Sequence, residues 1–521
     1  MAPATILREI VTRRQERMAR QGVTFGARIP TERKVPVMDF PGTTGLICEI
    51  KRRSPSKGFI GTIGDPVEQA VQYRGAGAGA VSVLTEIDHF DGTLEDLMEV
   101  KAAHPDLAVL RKDFLTDPEE IEVSYRAGAD AVLLIAAILE ADQLGRMLKE
   151  ARRLGIAALV EVHTRTEVER VASLQPALVG INSRNLETFQ VDRAVPLQVA
   201  AAVDWEATLV YESGIVYPED VRLARESGFY AVLVGETAVA HPDRLPVLAA
   251  AARKPVVRPA AVREPAVRDS AIRRSAPDAP TARRAPAAFW SRLYAGRVRP
   301  LVKVCGITSR ADAECAVEAG ADILGFILAP SMRQIDPALI RGLRDLDVLK
   351  VGVVVAGKDK PGAPPELATL LEEGVLDAVQ FHGAEEPEEC AKLAFPYYKA
   401  LRVKEAADVE RIREYRSPRV LIDAFDKEAY GGTGKRISAD LVDAAAEIQP
   451  LWLAGGLGPA SVAEIVGRWR PELVDASSGL EKSPGVKDHG AVREFVAAAR
   501  EAAARGVAAP QVSARPVPAQ D

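Results

Sequence analysis

Short apolar runs recur along this chain, and they constrain its fold more than any other feature. Such short runs predict strands that are buried on both faces, and the Ala-, Glu- and Arg-rich stretches between them have helical spacing. Strands alternating with helices predict a parallel sheet. The first eight runs are Leu46–Ile50, Val81–Thr85, Val109–Asp113, Ala131–Ile135, Ala158–Val162, Leu178–Asn182, Thr208–Glu212 and Ala231–Gly235. The second eight are Leu301–Cys305, Ile323–Leu328, Lys350–Val355, Ala378–His382, Tyr397–Val403, Val420–Asp423, Leu451–Ala454 and Leu473–Ala476.

The number of runs in each set favours one kind of parallel sheet. Eight strand-helix units between residues 46 and 235 fit a closed (β/α)8 barrel better than an open doubly wound sheet. The same pattern restarts after residue 300. We therefore predict an α/β protein with two (β/α)8 TIM barrels in tandem.

The segment from Arg253 to Pro286 separates the two sets. It contains six prolines, no glycine and no aromatic residue, and nine basic side chains against three acidic ones. Its apolar side chains are too few to offset the entropy of ordering, and prolines favour extended chain. We predict an interdomain linker. A nucleic-acid-binding arm is the alternative, but the segment lacks interleaved aromatic residues.

Domain boundaries follow from the two sets and the linker. We place the first barrel at 1–252, a flexible Pro/Ala/Arg-rich linker at 253–297, the second barrel at 298–506 and a disordered tail at 507–521. Within the linker range, the aromatic segment Phe289–Tyr294 is predicted to dock on one of the two barrels.

The composition excludes several classes of protein. The net charge is −6, and the chain has no apolar run of eighteen residues. Residues 1–21 lack the apolar core of a secretory signal and are predicted to form an amphipathic helix. Four cysteines without a C-x-x-C pair argue against disulfides and zinc. We expect a cytoplasmic protein that needs no metal or cofactor. We expect it to bind neither membrane nor nucleic acid. The sequence leaves its oligomeric state open, and a monomer is plausible.

Two glycine-rich stretches resemble nucleotide loops without having the required context. Gly75–Gly79 precedes a predicted strand, whereas a pyrophosphate loop follows one, so we interpret its glycines as a helix C-terminus. Gly431–Lys435 lacks the first glycine of a P-loop, and Arg436 replaces the hydroxyl residue. ATP binding is therefore not predicted.

Polar residues interrupt the apolar runs of the first half near their carboxyl ends. They are Glu49, Lys51, Lys112, Glu161, Asn182 and Glu212. In a barrel these ends converge on the face that carries the chemistry. Any one charge could belong to a structural ion pair, but charges of both signs at four strand ends suit an anionic substrate and proton transfer. Gly214 and Gly235, after strands seven and eight, leave backbone N–H groups for a phosphate.

These residues lie in motifs that resemble indole-3-glycerol phosphate synthase. The resemblance covers about Ile6 to Ala252, and its motifs are Cys48–Ser56, Leu84–Glu86, Arg111–Phe114, Gly180–Leu186 and Glu212–Gly214. One departure is Glu236, at a position where other members often have serine. The change keeps a backbone donor but removes a hydroxyl contact.

The resemblance implies a role for each matching residue. Lys112 would protonate the substrate ketone while the aromatic carbon attacks it, and Glu161 would transfer protons during the later dehydration. The other catalytic residues implied are Glu49 and Lys51. The substrate would contact Ser54, Phe90, Phe114, Asn182, Arg184 and Glu212. Its phosphate would bind at Ser213, Gly214, Gly235 and Glu236.

Polar residues also end the strands of the second half. Taken singly, Cys305 could be a small buried hydrophobe and His382 could cap a strand. With Asp423 across the barrel mouth, however, one group can remove a proton while another delivers one. That pairing indicates an isomerase. Glycines and serines after the last two strands again suit a phosphate.

The second half resembles N-(5′-phosphoribosyl)anthranilate isomerase. The resemblance covers about Val298 to Ala503, in the motifs Val302–Thr308, Gln380–Gly383, Leu421–Asp423, Tyr430–Lys435, Gly455–Leu457 and Asp475–Glu481. It implies that Cys305 is the general base at C2 of the ribose and Asp423 the general acid on the ring oxygen. The substrate would contact His382 and Arg333, the latter through its carboxylate, although the loop Ala329–Arg333 is about one residue shorter than usual. The phosphate would bind at Gly455, Gly456, Ser478 and Gly479.

The two resemblances fit together chemically, because the product of the isomerase is the substrate of the synthase. We therefore predict a bifunctional enzyme of tryptophan biosynthesis that acts on small phosphorylated substrates. Three alternatives remain at this point. One barrel could be an inactive scaffold, or the isomerase half could also accept an aminoaldose of histidine biosynthesis. The chain could also chiefly bind nucleic acid through the linker.

Overall fold

The computed structural model describes residues 3–54, 58–59, 65–186, 188–253, 289–295, 299–355, 365–424 and 438–507. Most of the predicted linker, the predicted tail and the loop Gly431–Lys435 lie outside these residues. The chain divides into two compact units, Met1–Arg273 and Arg274–Asp521. In the described part of the chain, no helix is both long and apolar enough to cross a bilayer.

The first unit is a closed barrel of eight parallel strands, as predicted. Each strand pairs with the next along the chain, and the first closes the ring against the last through Leu46 and Val232. The boundaries agree with the apolar runs to within one residue. The strands are β1 (Leu46–Ile50), β2 (Ala80–Leu84), β3 (Ala108–Lys112), β4 (Ala131–Ile135), β5 (Ala157–Val162), β6 (Leu178–Asn182), β7 (Thr208–Glu212) and β8 (Ala231–Val234).

Helices surround this barrel, and their ends carry the expected capping residues. Thr93 and Asp96 form a reciprocal capping box at the start of one helix. Gly77, at φ +105°, follows the end of another, as predicted for a C-terminal glycine rather than a nucleotide loop. The α-helices are Pro3–Gln21, Pro66–Gly75, Ile87–Phe90, Leu94–Ala103, Glu119–Ala127, Ala141–Leu154, Arg165–Val171, Val195–Ala200, Pro218–Glu226, Glu236–Ala240 and Leu245–Ala252.

The second unit repeats the architecture. Its strands are β9 (Leu301–Cys305), β10 (Ile323–Ile327), β11 (Leu349–Val354), β12 (Ala378–Phe381), β13 (Tyr397–Val403), β14 (Val420–Ala424), β15 (Trp452–Leu453) and β16 (Leu473–Ala476), in a closed parallel ring. Its α-helices are Phe289–Tyr294, Arg310–Ala319, Pro337–Gly342, Glu366–Glu372, Pro387–Ala391, Ala406–Glu410, Ala439–Ile448, Pro459–Trp469 and His489–Val507. A short hairpin, Glu481–Ser483 with Val486–Lys487, follows β16.

The aromatic segment Phe289–Tyr294 is a helix that packs on the second barrel. The Trp290 ring lies 5.9 Å from the ring of Trp452, centroid to centroid, and Arg292 pairs with Asp377 over 2.6 Å. The Phe289 and Trp290 side chains are buried. The prediction that this segment docks on a barrel is confirmed, and its partner is the second barrel.

Candidate active sites

The first barrel has a cavity of about 430 Å³ at the carboxyl ends of its strands. Nearly all the residues predicted for the first site line it. They are Glu49, Lys51, Phe90, Lys112, Phe114, Glu161, Asn182, Arg184, Glu212, Ser213, Gly214, Gly235 and Glu236. The side chain of Ser54 lies outside the described part of the chain. The strand ends therefore converge as the barrel topology predicts.

Lys112 lies between two carboxylates at the centre of this cavity. Its Nζ is 3.2 Å from Oε2 of Glu161 and 3.1 Å from Oε2 of Glu212. Both glutamate side chains are buried, because each ends or nearly ends a barrel strand and points inward. The lysine can thus donate to a ligand while two acceptors hold it in place.

The surroundings shift the pKa values of the two carboxyl groups in opposite directions. Burial raises the pKa of Glu212 to about 8, because nearby Lys112 offsets that burial only in part and the charge of Glu161 adds to it. Glu161 is also buried, but Lys112 and His163 more than compensate, so its pKa lies below the ordinary value. For Lys112, burial is outweighed by Glu212 and Glu161, and its pKa is raised. The surroundings thus favour the ionised form of Glu161 and the protonated form of Glu212 beside the Lys112 ammonium.

Two glycines make room for these charged groups. Lys51 pairs with Glu49 over 2.7 Å, and a Cβ on Gly235 would lie 2.6 Å from Oε1 of Glu49. A Cβ on Gly180 would lie 2.0 Å from Oε1 of Glu212. A nonbonded carbon does not approach an oxygen this closely, so a side chain at either position would displace the carboxylate that packs against it.

The residues predicted to bind phosphate also line this cavity. Ser213 and Gly214 both have positive φ, at 68° and 75°, which turns the chain sharply after β7. Arg184 donates from Nη2 to Oε1 of Glu236 over 2.8 Å. The Phe90 and Phe114 rings, with centroids 6.1 Å apart, form an aromatic wall.

The N-terminal helix covers part of the first cavity, which the sequence reasoning did not foresee. Ile6, Leu7 and Ile10 line the cavity. From the same helix, Arg14 is buried and donates from Nε to Oδ1 of Asp113 over 2.8 Å. Since Asp113 directly follows Lys112, this helix is anchored beside the central lysine.

The second barrel has a cavity of about 350 Å³, also at the carboxyl ends of its strands. The predicted residues that line it are Cys305, Arg333, His382, Asp423, Gly455, Gly456 and Ser478. Gly479 is the one predicted residue of this site that does not line the cavity; it packs against the backbone of Leu457.

Cys305 ends β9 inside the barrel. Burial raises the pKa of its thiol, and the ammonium of Lys303 on the same strand acts against that rise. Lys303 is fully buried and pairs with Oδ2 of Asp475 over 2.5 Å. A Cβ on Gly325 would lie 2.7 Å from the Cys305 sulfur, so the neighbouring strand needs glycine there.

His382 directly follows β12, and Asp423 lies in β14, two strands further along the ring; their side chains are in contact. Nε2 of His382 lies 3.0 Å from Oδ2 of Asp423, and Nδ1 lies 2.9 Å from Nε2 of Gln380. Gln380 in turn accepts a hydrogen bond from Lys303 over 2.9 Å. Gln380 thus links His382, which lies against Asp423, to Lys303, which precedes Cys305 by two positions on β9.

Arg333 is held by the hairpin that follows β16. Its Nε and Nη2 both donate to Glu481, over 2.9 Å each, and Lys487 also contacts Glu481 over 2.9 Å. The arginine faces the cavity, with its guanidinium oriented by a carboxylate.

The phosphate end of the second cavity has turns that suit anion binding. Gly455 and Gly456 have φ of 89° and 66°. The Ser477 hydroxyl lines the cavity, is buried and has no hydrogen-bond partner among the described residues. A hydroxyl in that state is available to a ligand.

Sequence reasoning missed several residues that complete the two sites. They are His163, Lys303, Gln380, Glu481 and Lys487. A signal existed for two pairs: Lys303 and Cys305, like Gln380 and His382, are two positions apart, and alternate residues of a strand face the same side. The hairpin residues carried no such signal.

Comparison with known proteins assigns each half to a family model. Residues 9–248 match the model of indole-3-glycerol phosphate synthase, and residues 302–498 match that of N-(5′-phosphoribosyl)anthranilate isomerase. The second match includes every residue that lines the second cavity, and the first match includes every residue that lines the first cavity except Ile6 and Leu7.

Some similar proteins align with both halves of this chain, and others align with one half. A multifunctional tryptophan biosynthesis protein of Schizosaccharomyces pombe is 32% identical over 490 residues, which cover 88% of this chain and 59% of that protein. The indole-3-glycerol phosphate synthase of Oceanobacillus iheyensis is 41% identical over 231 residues, 44% of this chain and 86% of its own length. The crystal structure of phosphoribosyl anthranilate isomerase from Thermotoga maritima is 36% identical, covers 38% of this chain and 98% of its own, and has a TM-score of 0.35. The chain thus spans little more than half of the multifunctional relative.

Proposed function

Because the chain belongs to the indole-3-glycerol phosphate synthase family in its first half and to the N-(5′-phosphoribosyl)anthranilate isomerase family in its second, we propose that it catalyses two consecutive steps of tryptophan biosynthesis. The second barrel isomerises N-(5′-phosphoribosyl)anthranilate to 1-(2-carboxyphenylamino)-1-deoxyribulose 5-phosphate. The first barrel converts that ketone to indole-3-glycerol phosphate. When the substrate is written with its carboxyl group ionised, the reaction of the first barrel consumes one proton and releases carbon dioxide and water.

In the first barrel, the contacts of Lys112 support its role as the acid. Its ammonium donates a proton to the ketone oxygen as the aromatic carbon attacks, and the negative charge of Glu161 stabilises the ammonium until then. Carbon dioxide then leaves from the ring carbon that made the attack, and the electron pair of the broken C–C bond restores the aromatic ring. Phe90 and Phe114 hold the anthranilate ring, and the turn at Ser213 and Gly214 receives the phosphate.

In the second barrel, Cys305 and Asp423 divide the proton transfers. Asp423 protonates the ribose ring oxygen, which opens the ring, and Cys305 removes the proton from C2 to give an enolamine. The enolamine then settles to the ketone, which completes an Amadori rearrangement. Arg333 binds the anthranilate carboxylate, and Gly455, Gly456 and Ser478 bind the phosphate.

One observation supports the proposal most strongly. Each family match contains its own cavity at the carboxyl ends of a closed barrel, and both cavities are lined by acids and bases of the matching motifs. An inactive scaffold would be under no constraint to keep Lys112 between two carboxylates or Cys305 beside a buried lysine.

A two-step assay tests the proposal. The purified chain is given phosphoribosylanthranilate, and loss of substrate fluorescence and formation of indole-3-glycerol phosphate are followed separately. Lys112→Ala is expected to accumulate the ketone, and Cys305→Ala to leave the first substrate unconverted. Lys149→Ala, on the helix Ala141–Leu154 outside both cavities, is the control and should form product at the unmodified rate. If the unmodified chain performs only one step, the other barrel is not an active enzyme.

A further inference from the structure

Two buried carboxylates compete for one lysine in the first site. Oε2 of Glu161 and Oε2 of Glu212 lie 3.2 Å and 3.1 Å from the same Nζ of Lys112. The exposed fractions of the two side chains are 4% and 1%. Two negative charges so close together and so far from water favour protonation of one of them. Lys112 contacts both groups at nearly equal distance, so it does not determine which one is protonated.

His163 distinguishes the two. It directly follows β5, and its Nε2 lies 3.2 Å from Oε1 of Glu161, the oxygen that is not paired with Lys112. The angle of this contact lies outside hydrogen-bond geometry, so the interaction is one between charges. Its Nδ1 lies 3.3 Å from Oε2 of Glu167, which also accepts the backbone N–H of His163 over 2.7 Å. Burial disfavours a charged imidazole, but the two carboxylates outweigh it and raise the pKa of His163 to about 9.

Glu212 has no equivalent support. Its Oε1 is buried, and no donor among the described residues reaches it. The space around that oxygen faces Gly180, which contributes no side chain. An ionised Glu212 would therefore leave one oxygen buried without a hydrogen bond, which is costly.

We propose that His163 is a positioning residue that determines which carboxylate is ionised: paired with Glu161 and held from behind by Glu167, it keeps Glu161 as the carboxylate and leaves Glu212 as the carboxylic acid. The kinetic consequence rests on the proposed synthase activity. In the dehydration step, the C–O bond breaks and the hydroxyl leaves as water with the proton of Glu212. Glu161 accepts the proton lost from the neighbouring ring carbon, and transfer between the adjacent carboxyl groups restores the starting state.

Histidine titration tests the arrangement without any turnover. The full chain, labelled at Cε1 of its six histidines, is titrated by ¹H–¹³C NMR, and the His163 signal is identified by its loss in His163→Asn. We expect its midpoint above pH 8. Glu161→Gln should lower that midpoint, whereas Glu212→Gln should leave it above pH 8. A midpoint between pH 6 and 7 in the unmodified chain would overturn the proposal.

Steady-state kinetics with the ketone substrate tests the consequence. His163→Asn should lower kcat about tenfold with KM within about twofold, and should move the acid limb of the pH profile upward by about one unit, because Glu161 loses its cationic partner while still facing Lys112 and Glu212. Glu167→Gln should shift the limb in the same direction by less. Glu169→Gln, on the exposed face of the same helix, is the matched control and should change nothing.

These experiments distinguish a failure of the positioning role of His163 from a failure of the proposed synthase activity. If the unmodified chain forms product and both His163→Asn and Glu167→Gln keep its kcat and pH profile, the positioning role is wrong. If the unmodified chain forms no indole-3-glycerol phosphate, the proposed function fails, while the titration still decides the state of His163. A fold check by calorimetry identifies a variant that fails to fold, and the other variant then decides.

Discussion

Arg184 donates to Glu236 over 2.8 Å at the mouth of the first cavity, so a carboxylate occupies the end of the site where a phosphate is expected to bind. Both side chains are largely buried, at 22% and 24% exposed. The pair neutralises an arginine that would otherwise face the ligand. Glu236 is also the position at which this chain departs from the serine that resembling proteins often carry.

We expect Glu236→Ser to lower KM for the ketone substrate. Removing the carboxylate ends its repulsion of the phosphate and releases Arg184, an effect of about 1 kcal/mol, or roughly fivefold in KM, at a partly exposed position. Steady-state kinetics at low ionic strength measures it, and kcat should stay unchanged. Glu236→Gln, which removes the charge but keeps the size, should give most of the effect. A higher KM in both variants would mean that Glu236 serves mainly to hold Arg184 in place.

Arg14→Met should destabilise the first barrel by about 3 kcal/mol, because it removes the arginine paired with the buried carboxylate of Glu120 and leaves Asp113 with Arg111 as its cationic partner. Calorimetry of the full chain measures the change. Arg13→Ala is the matched control on the same helix, since Arg13 is 57% exposed, and should change stability by less than about 0.5 kcal/mol.

The same pair has a defined pH dependence. Burial disfavours the charge of Asp113, but Arg14 and Arg111 outweigh it and hold the pKa of Asp113 below its ordinary value. A carboxyl group whose pKa is lower in the folded state stabilises the folded protein at pH values above its unfolded pKa of about 3.9. That contribution is lost as the pH falls from this value through the folded-state pKa. The stability difference between Arg14→Met and the unmodified chain should therefore shrink below about pH 4. A difference that stays constant down to pH 3 would contradict an ionic origin.

Isomerase activity should increase with pH through the titration of Cys305. Burial raises the thiol pKa, so the thiolate that acts as the base is a minor species at neutral pH. The acid limb of kcat/KM should lie above about pH 8.5, the ordinary thiol value. Cys305→Ser should lower kcat by about 100-fold or more. Cys390→Ser, also buried but outside the cavity, should leave the profile unchanged.

Trp290→Ala should destabilise the second barrel by about 3–5 kcal/mol, because it removes a buried ring that contacts Trp452 and Tyr294. The calorimetric transition of the first barrel should not move. Trp469→Ala, which removes a partly exposed ring, should cost less. An unchanged second transition would show that the helix Phe289–Tyr294 adds little to the stability of that barrel.

Much of the fold follows from local sequence pattern. Runs such as Ala131–Ile135 and Leu178–Asn182 predicted strands that the structure confirms at the same residues. Strand ends converge by topology, so the residues that share each cavity could also be predicted, from Lys112 and Glu212 in one barrel to Cys305 and Asp423 in the other.

The partners of those residues could not be predicted, because they depend on contacts between distant parts of the chain. Lys112 and Glu212 are 100 positions apart, and Arg333 and Glu481 are 148 apart. Nothing in the periodicity of either strand says which of two carboxylates has a histidine behind it, or that an arginine meets a glutamate from a hairpin.

By itself, then, the sequence determined the two barrels, their motifs and the set of acids and bases in each mouth, since burial of alternating strands and helices is a local pattern repeated sixteen times. Only the tertiary structure decided how those charges are paired, that Arg14 anchors the N-terminal helix beside Lys112, and that Phe289–Tyr294 belongs to the second barrel. Pairing energies depend on distance and burial, and both are properties of the packed chain.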